Sequence, residues 1–87
     1  MNIYLAPSFY RAYKKLIRKK PKLVAKIKEK TKTLKENPLH ESLKLHKLTG
    51  SKRDTWSFSI EEDVRILFYR IKKDVVFVDI GKHEEVY

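Results

Sequence analysis

Cysteine is absent from this sequence of 87 residues. Neither disulfides nor thiolate metal centres therefore reinforce its core, and nothing calls for an oxidising compartment. Glycine occurs only as Gly50 and Gly81, which argues against a glycine-rich phosphate cradle and the ATP-dependent chemistry it serves. No stretch approaches the roughly 20 apolar residues that span a bilayer. The segment MNIYLAPSFYRAYKK has no apolar run of signal-peptide length. These absences lead to the expectation of a soluble, cytoplasmic protein without membrane contact. The three histidines and scattered acids lack metal-ligand spacing, and no serine nucleophile elbow is present, so no cofactor and no metal are expected. Acidic residues are also scarce, at 11 against 21 Lys and Arg, for a formal charge of +10.

That charge is unevenly placed. Residues 11–35 hold twelve Lys and Arg and one acid, Glu29, whereas residues 54–87 hold five basic residues and eight acids. A polyanionic partner such as RNA, DNA or an acidic protein fits one strongly basic region. A solvated, lysine-rich helical surface fits it equally well on charge alone.

A chain of this length supports one domain, residues 1–87, with a modest core. NIYLA has strand character. Phe9, Tyr10, Tyr13, Leu16 and Ile17 then recur on one face of a helix that Pro21 ends. Leu23, Val24, Ile27, Thr31 and Leu34 repeat the spacing, predicting a second helix over about 22–36. Residues 38–54 read as a loop with a short strand at LKLHKL. TWSFSI alternates strictly, and DVRILFYRI and VVFVDI follow after short turns, predicting a three-stranded antiparallel meander. The fold class is α+β: an N-terminal strand and a two-helix hairpin packed on one face of a twisted antiparallel sheet.

Register follows from the faces. Trp56, Phe58 and Ile60 beside Val64, Ile66 and Phe68, and these beside Val76, Val78 and Ile80, make one apolar face for the helices to cover. Ser57, Ser59, Asp63, Arg65, Leu67, Tyr69, Phe77 and Asp79 then occupy the other. Because the third meander strand is antiparallel to the second, the tail GKHEEVY is expected to return toward Arg65 and Asp63, bringing His83 and Tyr87 with it.

His46, Asp63, Arg65, His83 and Tyr87 form the candidate constellation. Metal-independent RNA cleavage needs a base for the 2′-hydroxyl, a cation for the charge building on phosphate, and an acid for the leaving 5′-oxygen. Histidine exchanges protons near neutral pH, and arginine matches phosphate geometry without losing charge. Singly, the residues have plainer readings: His46 a surface histidine, Asp63 a turn residue, Arg65 an ion pair with Asp63 or Asp79, Tyr87 an apolar plug, His40 a loop residue. Arg65 stands out because it interrupts the apolar run VRILF, where a charge is costly unless paired or exposed in a cleft.

LxxNP (Leu34 to Pro38), LHKLTG (Leu45 to Gly50), WSFSIEEDVRILFY (Trp56 to Tyr69) and DIGKHEEVY (Asp79 to Tyr87), in that order, resemble the RelE/ParE superfamily of type II toxin–antitoxin toxins, near its RelE and YafQ branches. The resemblance covers nearly the whole chain. It implies a ribosome-dependent endonuclease that cuts mRNA in the A site, leaving a cyclic phosphate and a 5′-hydroxyl. A cognate antitoxin would restrain it in a hetero-oligomer, the free toxin being monomeric. The active-site positions of YafQ-like members fall on His46, Asp63, His83 and Tyr87, and the phosphate-stabilising arginine of RelE- and YoeB-like members falls on Arg65. A further YafQ histidine, four residues before the aspartate, is replaced by Ser59. The basic helices, with Lys44, Lys47, Lys52 and Arg53, are expected to hold ribosomal RNA, and the antitoxin is expected partly on Leu67, Tyr69, Ile71 and Phe77. The alternatives are a gyrase inhibitor of the ParE kind, which shares the fold but generally lacks this cluster, and a degenerate toxin that only binds antitoxin or nucleic acid.

Overall fold

The computed structural model describes residues 1–50 and 54–82. Strand β1 (Ile3–Leu5) leads into helices α1 (Pro7–Lys19) and α2 (Leu23–Glu36), then a 3₁₀ turn at Glu41–Leu43. Strands β2 (His46–Lys47), β3 (Thr55–Glu61), β4 (Val64–Ile71) and β5 (Asp74–Lys82) follow. The sheet order is β1-β5-β4-β3-β2. The meander is antiparallel as expected, while β1 lies parallel to β5, so the complete sheet is mixed. Among the described residues no helix is long and apolar enough to cross a membrane.

Local chemistry accounts for the helix ends. Pro7 opens α1, where its fixed φ suits a helix and no N–H is needed. Arg18 and Lys19 fill the last turn, next to the negative end of the helix dipole. Phe9 is the buried anchor of α1, with Tyr13, Leu16 and Ile17 packed partly against the core; Tyr10, expected on the same inward stripe, is 50% exposed. Leu23, Ile27 and Leu34 anchor α2.

The sheet departs from the expected register at two places: Glu61 rather than Ile60 pairs with Val64, and a second shift falls between β4 and β5. Ile66 pairs with Ile80 and Leu67 with Asp79, but Phe68 pairs with Phe77, leaving Val78 as the extra residue of a β-bulge. Strict alternation put Val76 and Val78 inward and Phe77 outward. Below the bulge the parity reverses: Val75 and Phe77 are buried in the core, and Val76 sits opposite Tyr69. Such a bulge re-aims every side chain beyond it. The displaced carbonyl of Val78 accepts a 2.7 Å hydrogen bond from Ser8 Oγ, which ties the irregularity to the start of α1. Phe77 is consequently no part of an outer antitoxin surface.

In its actual place Phe77 joins the two layers. Its ring centroid lies 5.4 Å from Phe9 of α1, 5.6 Å from Phe58 and 6.3 Å from Phe68. The angles of 61°, 51° and 49° are edge-on or tilted, which suits the quadrupoles of the rings. Truncating a buried phenylalanine removes about 3–5 kcal/mol through lost transfer energy and the cavity left behind. Phe77→Ala is expected to lower the denaturant midpoint by that much stability, and Val78→Ala by less than about 1.5 kcal/mol. Comparable losses at the two positions in equilibrium unfolding would contradict the bulged register.

Candidate active site

Strand β4 has hydrogen-bonded neighbours on both sides, β3 and β5, and Arg65 lies half-buried on it. Its face is the one opposite the helices, shared with Ser57 and Leu67. Arg65 Nε donates to Ser57 Oγ at 3.0 Å, and Arg65 Nη2 donates to the Lys44 carbonyl at 2.6 Å. Both acceptors are neutral. They fix the plane of the guanidinium and do not themselves cancel its charge. Neither Asp63 nor Asp79, the acids expected as alternative partners, forms an ion pair with Arg65 among the described residues. Asp79 Oδ1 instead accepts the N–H of Ile80.

The Lys44 carbonyl reaches Arg65 because the chain turns sharply there. Lys44 closes the 3₁₀ turn with φ 45 and ψ 52, a left-handed conformation that costs a non-glycine residue roughly 1–2 kcal/mol. Its own N–H bonds back to Glu41 O at 3.1 Å. The 3₁₀ turn is capped in turn by His40, whose Nδ1 accepts the Ser42 N–H at 3.1 Å, and it is plugged into the core by fully buried Leu43. Backbone strain held in place by packing and capping in this way is a common feature of functional sites.

Two residues later His46 occupies β2, exposed and directly opposite Ser57. Cross-strand neighbours place their Cβ atoms about 4.5–5.5 Å apart. Ser57 is therefore the hinge of the arrangement, facing His46 across the strand pair and accepting from Arg65. Lys47 alternates to the other side of β2. Its ammonium lies 3.7 Å from Asp54 and 5.8 Å from the Trp56 ring centroid. Asp63 is exposed in the tight turn between β3 and β4. Ser59 is buried and donates from Oγ to Glu61 O at 3.0 Å, beside the register shift between Ser59 and Glu61. His83, Tyr87, Lys52 and Arg53 fall outside the described residues. Among the described residues, no three His, Asp or Glu side chains gather as metal ligands.

The site thus joins Arg65 and His46 through Ser57 and the Lys44 backbone. Sequence reasoning did not single out Ser57, although the alternation of TWSFSI already put it on the face of Arg65. The role of the Lys44 carbonyl leaves no side-chain signature.

The fold that carries this oriented cation and its neighbouring histidine recurs in known proteins. The sequence profile of a family described as "Bacterial toxin of type II toxin-antitoxin system, YafQ" matches residues 1–87. The chain belongs to the YafQ family. No curated protein sequence matches it. Among solved structures, YafQ from Escherichia coli strain BL21(DE3) superposes with a TM-score of 0.81 at 24% identity, covering 99% of this chain and 97% of that one. The YafQ subunit fold also recurs in the Escherichia coli DinJ-YafQ toxin–antitoxin complex, with TM-score 0.82, 24% identity and coverage of 99% and 96%. A YoeB dimer from Staphylococcus aureus gives 0.71 at 24% identity, covering 95% and 97%. At these identities the structures show the shared fold, and membership of the YafQ family makes this chain a toxin of the type II class.

One ionic cluster braces the rim of this YafQ-type domain. Asp54 accepts from Arg70 Nε at 2.7 Å through Oδ2 and from Trp56 Nε1 at 2.7 Å through Oδ1. The Arg70 guanidinium also lies 5.2 Å from the Trp56 ring centroid. The hydrogen bond from Arg70, then that from Trp56, holds the Asp54 carboxyl below its ordinary pKa. A folded-state pKa below the unfolded value of about 3.9 adds stability above that value, lost as pH falls through the depressed one. Asp54→Asn is accordingly expected to flatten the acid limb of a stability–pH profile below about pH 4. An acid limb of unchanged slope in thermal unfolding would remove Asp54 from this role.

Proposed function

We propose that this toxin is a ribosome-dependent endoribonuclease that cuts mRNA in the A site and is neutralised by a cognate antitoxin. The observation that carries the reading is Arg65, oriented on the middle of the sheet by two neutral acceptors next to His46. A guanidinium pre-set in this way is complementary to a phosphate whose charge grows in the transition state, and such preorganisation supplies much of the rate enhancement in many enzymes. The DinJ-YafQ complex supports an antitoxin partner of the same general kind.

In the proposed reaction a base takes the proton of the 2′-hydroxyl, and that oxygen attacks the adjacent phosphorus. The bond from phosphorus to the 5′-oxygen breaks, an acid protonates the leaving oxygen, and the products are a 2′,3′-cyclic phosphate and a 5′-hydroxyl. Arg65 clamps the phosphate. His46, His83 and Asp63 share the two proton transfers, Tyr87 packs beside the reacting nucleotide, and Lys44, Lys47, Lys52, Arg53 and the basic helices contact ribosomal RNA in the cytoplasm. Because the reaction needs only proton donors, acceptors and a fixed cation, no cofactor enters it.

Primer extension on mRNA held in a ribosome–tRNA complex tests the reading. Wild-type protein is expected to cut within the A-site codon only when ribosomes are present. His83→Ala is expected to lose about 10²–10⁴-fold in rate. Arg65→Lys, which keeps the charge but not the planar fork, is expected to lose about 10²-fold or more. A growth-arresting preparation that leaves message intact and blocks supercoiling would transfer the chain to the gyrase-inhibitor reading.

A further inference from the structure

β5 lacks a neighbouring strand along the outer side of its last residues. The pairing with β1 runs from Ile3 opposite Val75 to Leu5 opposite Phe77, and the Val78 carbonyl is taken by Ser8 Oγ. Among the described residues no strand borders residues 79–82 on that side. A cleft of about 320 Å³ lies there between α1 and β5. Pockets that hold small ligands span about 300–1,000 Å³, so one of this size suits a single small molecule. Ala12, Leu16 and Ile80 give it an apolar part, and Lys15, Lys19, Lys20 and Lys82 line it beside one carboxylate, Asp79.

Lysines on a helix surface ordinarily face solvent, and those in a last turn complement the helix dipole. That accounts for Lys19 and Lys20, but not for Lys15, one turn earlier, or for Lys82 on a strand. Like charges four residues apart on a helix, as at Lys15 and Lys19, repel each other. Among the described residues the ion pairs involve Lys32, Lys47 and Arg70, and none of the four lysines of the cleft. Asp79 shares that cleft without pairing with any of them; its Oδ1 accepts the Ile80 N–H at 2.9 Å. A carboxylate oxygen accepts more than one hydrogen bond, so Asp79 keeps capacity for a donor brought by a ligand. An inorganic phosphate would satisfy the lysines and be repelled by Asp79. A nucleotide satisfies both, because its sugar and base carry O–H and N–H donors close to its phosphates, and its flat base covers apolar surface.

We propose that this cleft binds a nucleotide. Its phosphates meet Lys15, Lys19, Lys20 and Lys82, its base lies on Ala12, Leu16 and Ile80, and Asp79 accepts from the base or the ribose. Gly81, which also lines the cleft, pairs with Arg65 across β5 and β4, so an occupant sits one strand away from the guanidinium. The proposal rests on the cleft alone and does not require the nuclease reading. A free nucleotide and a nucleotide held within an RNA strand offer the same chemistry, and titration with each separates them.

The full chain is titrated with GTP, with inorganic tripolyphosphate and with a short single-stranded oligoribonucleotide, each followed by NMR of the backbone amides. Movement of the Leu16, Lys20, Ile80 and Lys82 amides by GTP assigns the cleft to a free nucleotide; movement by the oligoribonucleotide alone assigns it to a nucleotide of an RNA strand. In either case the nucleotide is expected to bind at least about tenfold more tightly than tripolyphosphate, and at least about tenfold more weakly to the double variant Lys15→Gln/Lys82→Gln. Both of these lysines are exposed, and circular dichroism verifies that the variant is folded. Asp79→Asn, which keeps an oxygen for the Ile80 N–H, is expected to strengthen tripolyphosphate binding and to erase the preference for the nucleotide. The proposal is overturned if neither GTP nor the oligoribonucleotide moves these amides, or if tripolyphosphate binds as tightly as the nucleotide. It is also overturned if the double variant binds equally well, or if Asp79→Asn leaves the preference unchanged.

Discussion

A guanidinium on an inner strand is the constraint around which the rest of this molecule is arranged. β4 is flanked on both sides, so its inward face must be apolar and its outward face cannot shed a charge to solvent simply by fraying. Arg65 is tolerable there because it is oriented by Ser57 and by the Lys44 carbonyl, and leaving such a group without hydrogen bonds would cost several kcal/mol. These two neutral acceptors engage two of its donors and add no negative charge of their own. A carboxylate in their place would engage them too, but would compete with any phosphate for the same fork.

Everything that holds Lys44 and Ser57 in place consequently supports the site. The Lys44 carbonyl is aimed by a left-handed residue, which is held by a capped 3₁₀ turn, which is anchored by Leu43 in the core. Ser57 is held by strand pairing to His46 on one side and Leu67 on the other. Beneath them the four rings of Phe9, Phe58, Phe68 and Phe77 fix the sheet against the helices. Packing of this density transmits displacement rather than absorbing it. A loosened core is therefore a loosened guanidinium, and the stability of the domain and the orientation of Arg65 are coupled through β4.

Much of this is legible in the sequence. The helices announce themselves by their 3.6-residue spacing and by Pro7 and Pro21, and the meander by alternation in TWSFSI and DVRILFYRI. The α+β class and the placement of Arg65 on the sheet face opposite the helices follow from those patterns alone. What is not legible is what breaks periodicity. A bulge at Val78 leaves no mark in VVFVDI, where valine suits either face, so parity alone sends Phe77 outward. The bond from Arg65 to a main-chain carbonyl is likewise silent, because any residue at position 44 supplies a carbonyl and only the turn aims it. The Asp54, Trp56 and Arg70 cluster escapes a reading of the sequence because Arg70 is distant along the chain and meets the other two only when β3 and β4 pair.

Whether Arg65 is pre-set for phosphate before any RNA arrives is tested most directly by NMR of the arginine side-chain N–H groups. The titrant is an RNA whose 2′-hydroxyl at the scissile position is replaced by hydrogen. The Arg65 Nε–H signal is expected to exchange slowly in the free protein, because of Ser57, and to keep its position while the Arg65 Nη signals shift on binding. A rapidly exchanging Arg65 Nε–H in the free protein, or RNA binding that shifts only lysines of α1 and α2, would contradict a pre-set guanidinium.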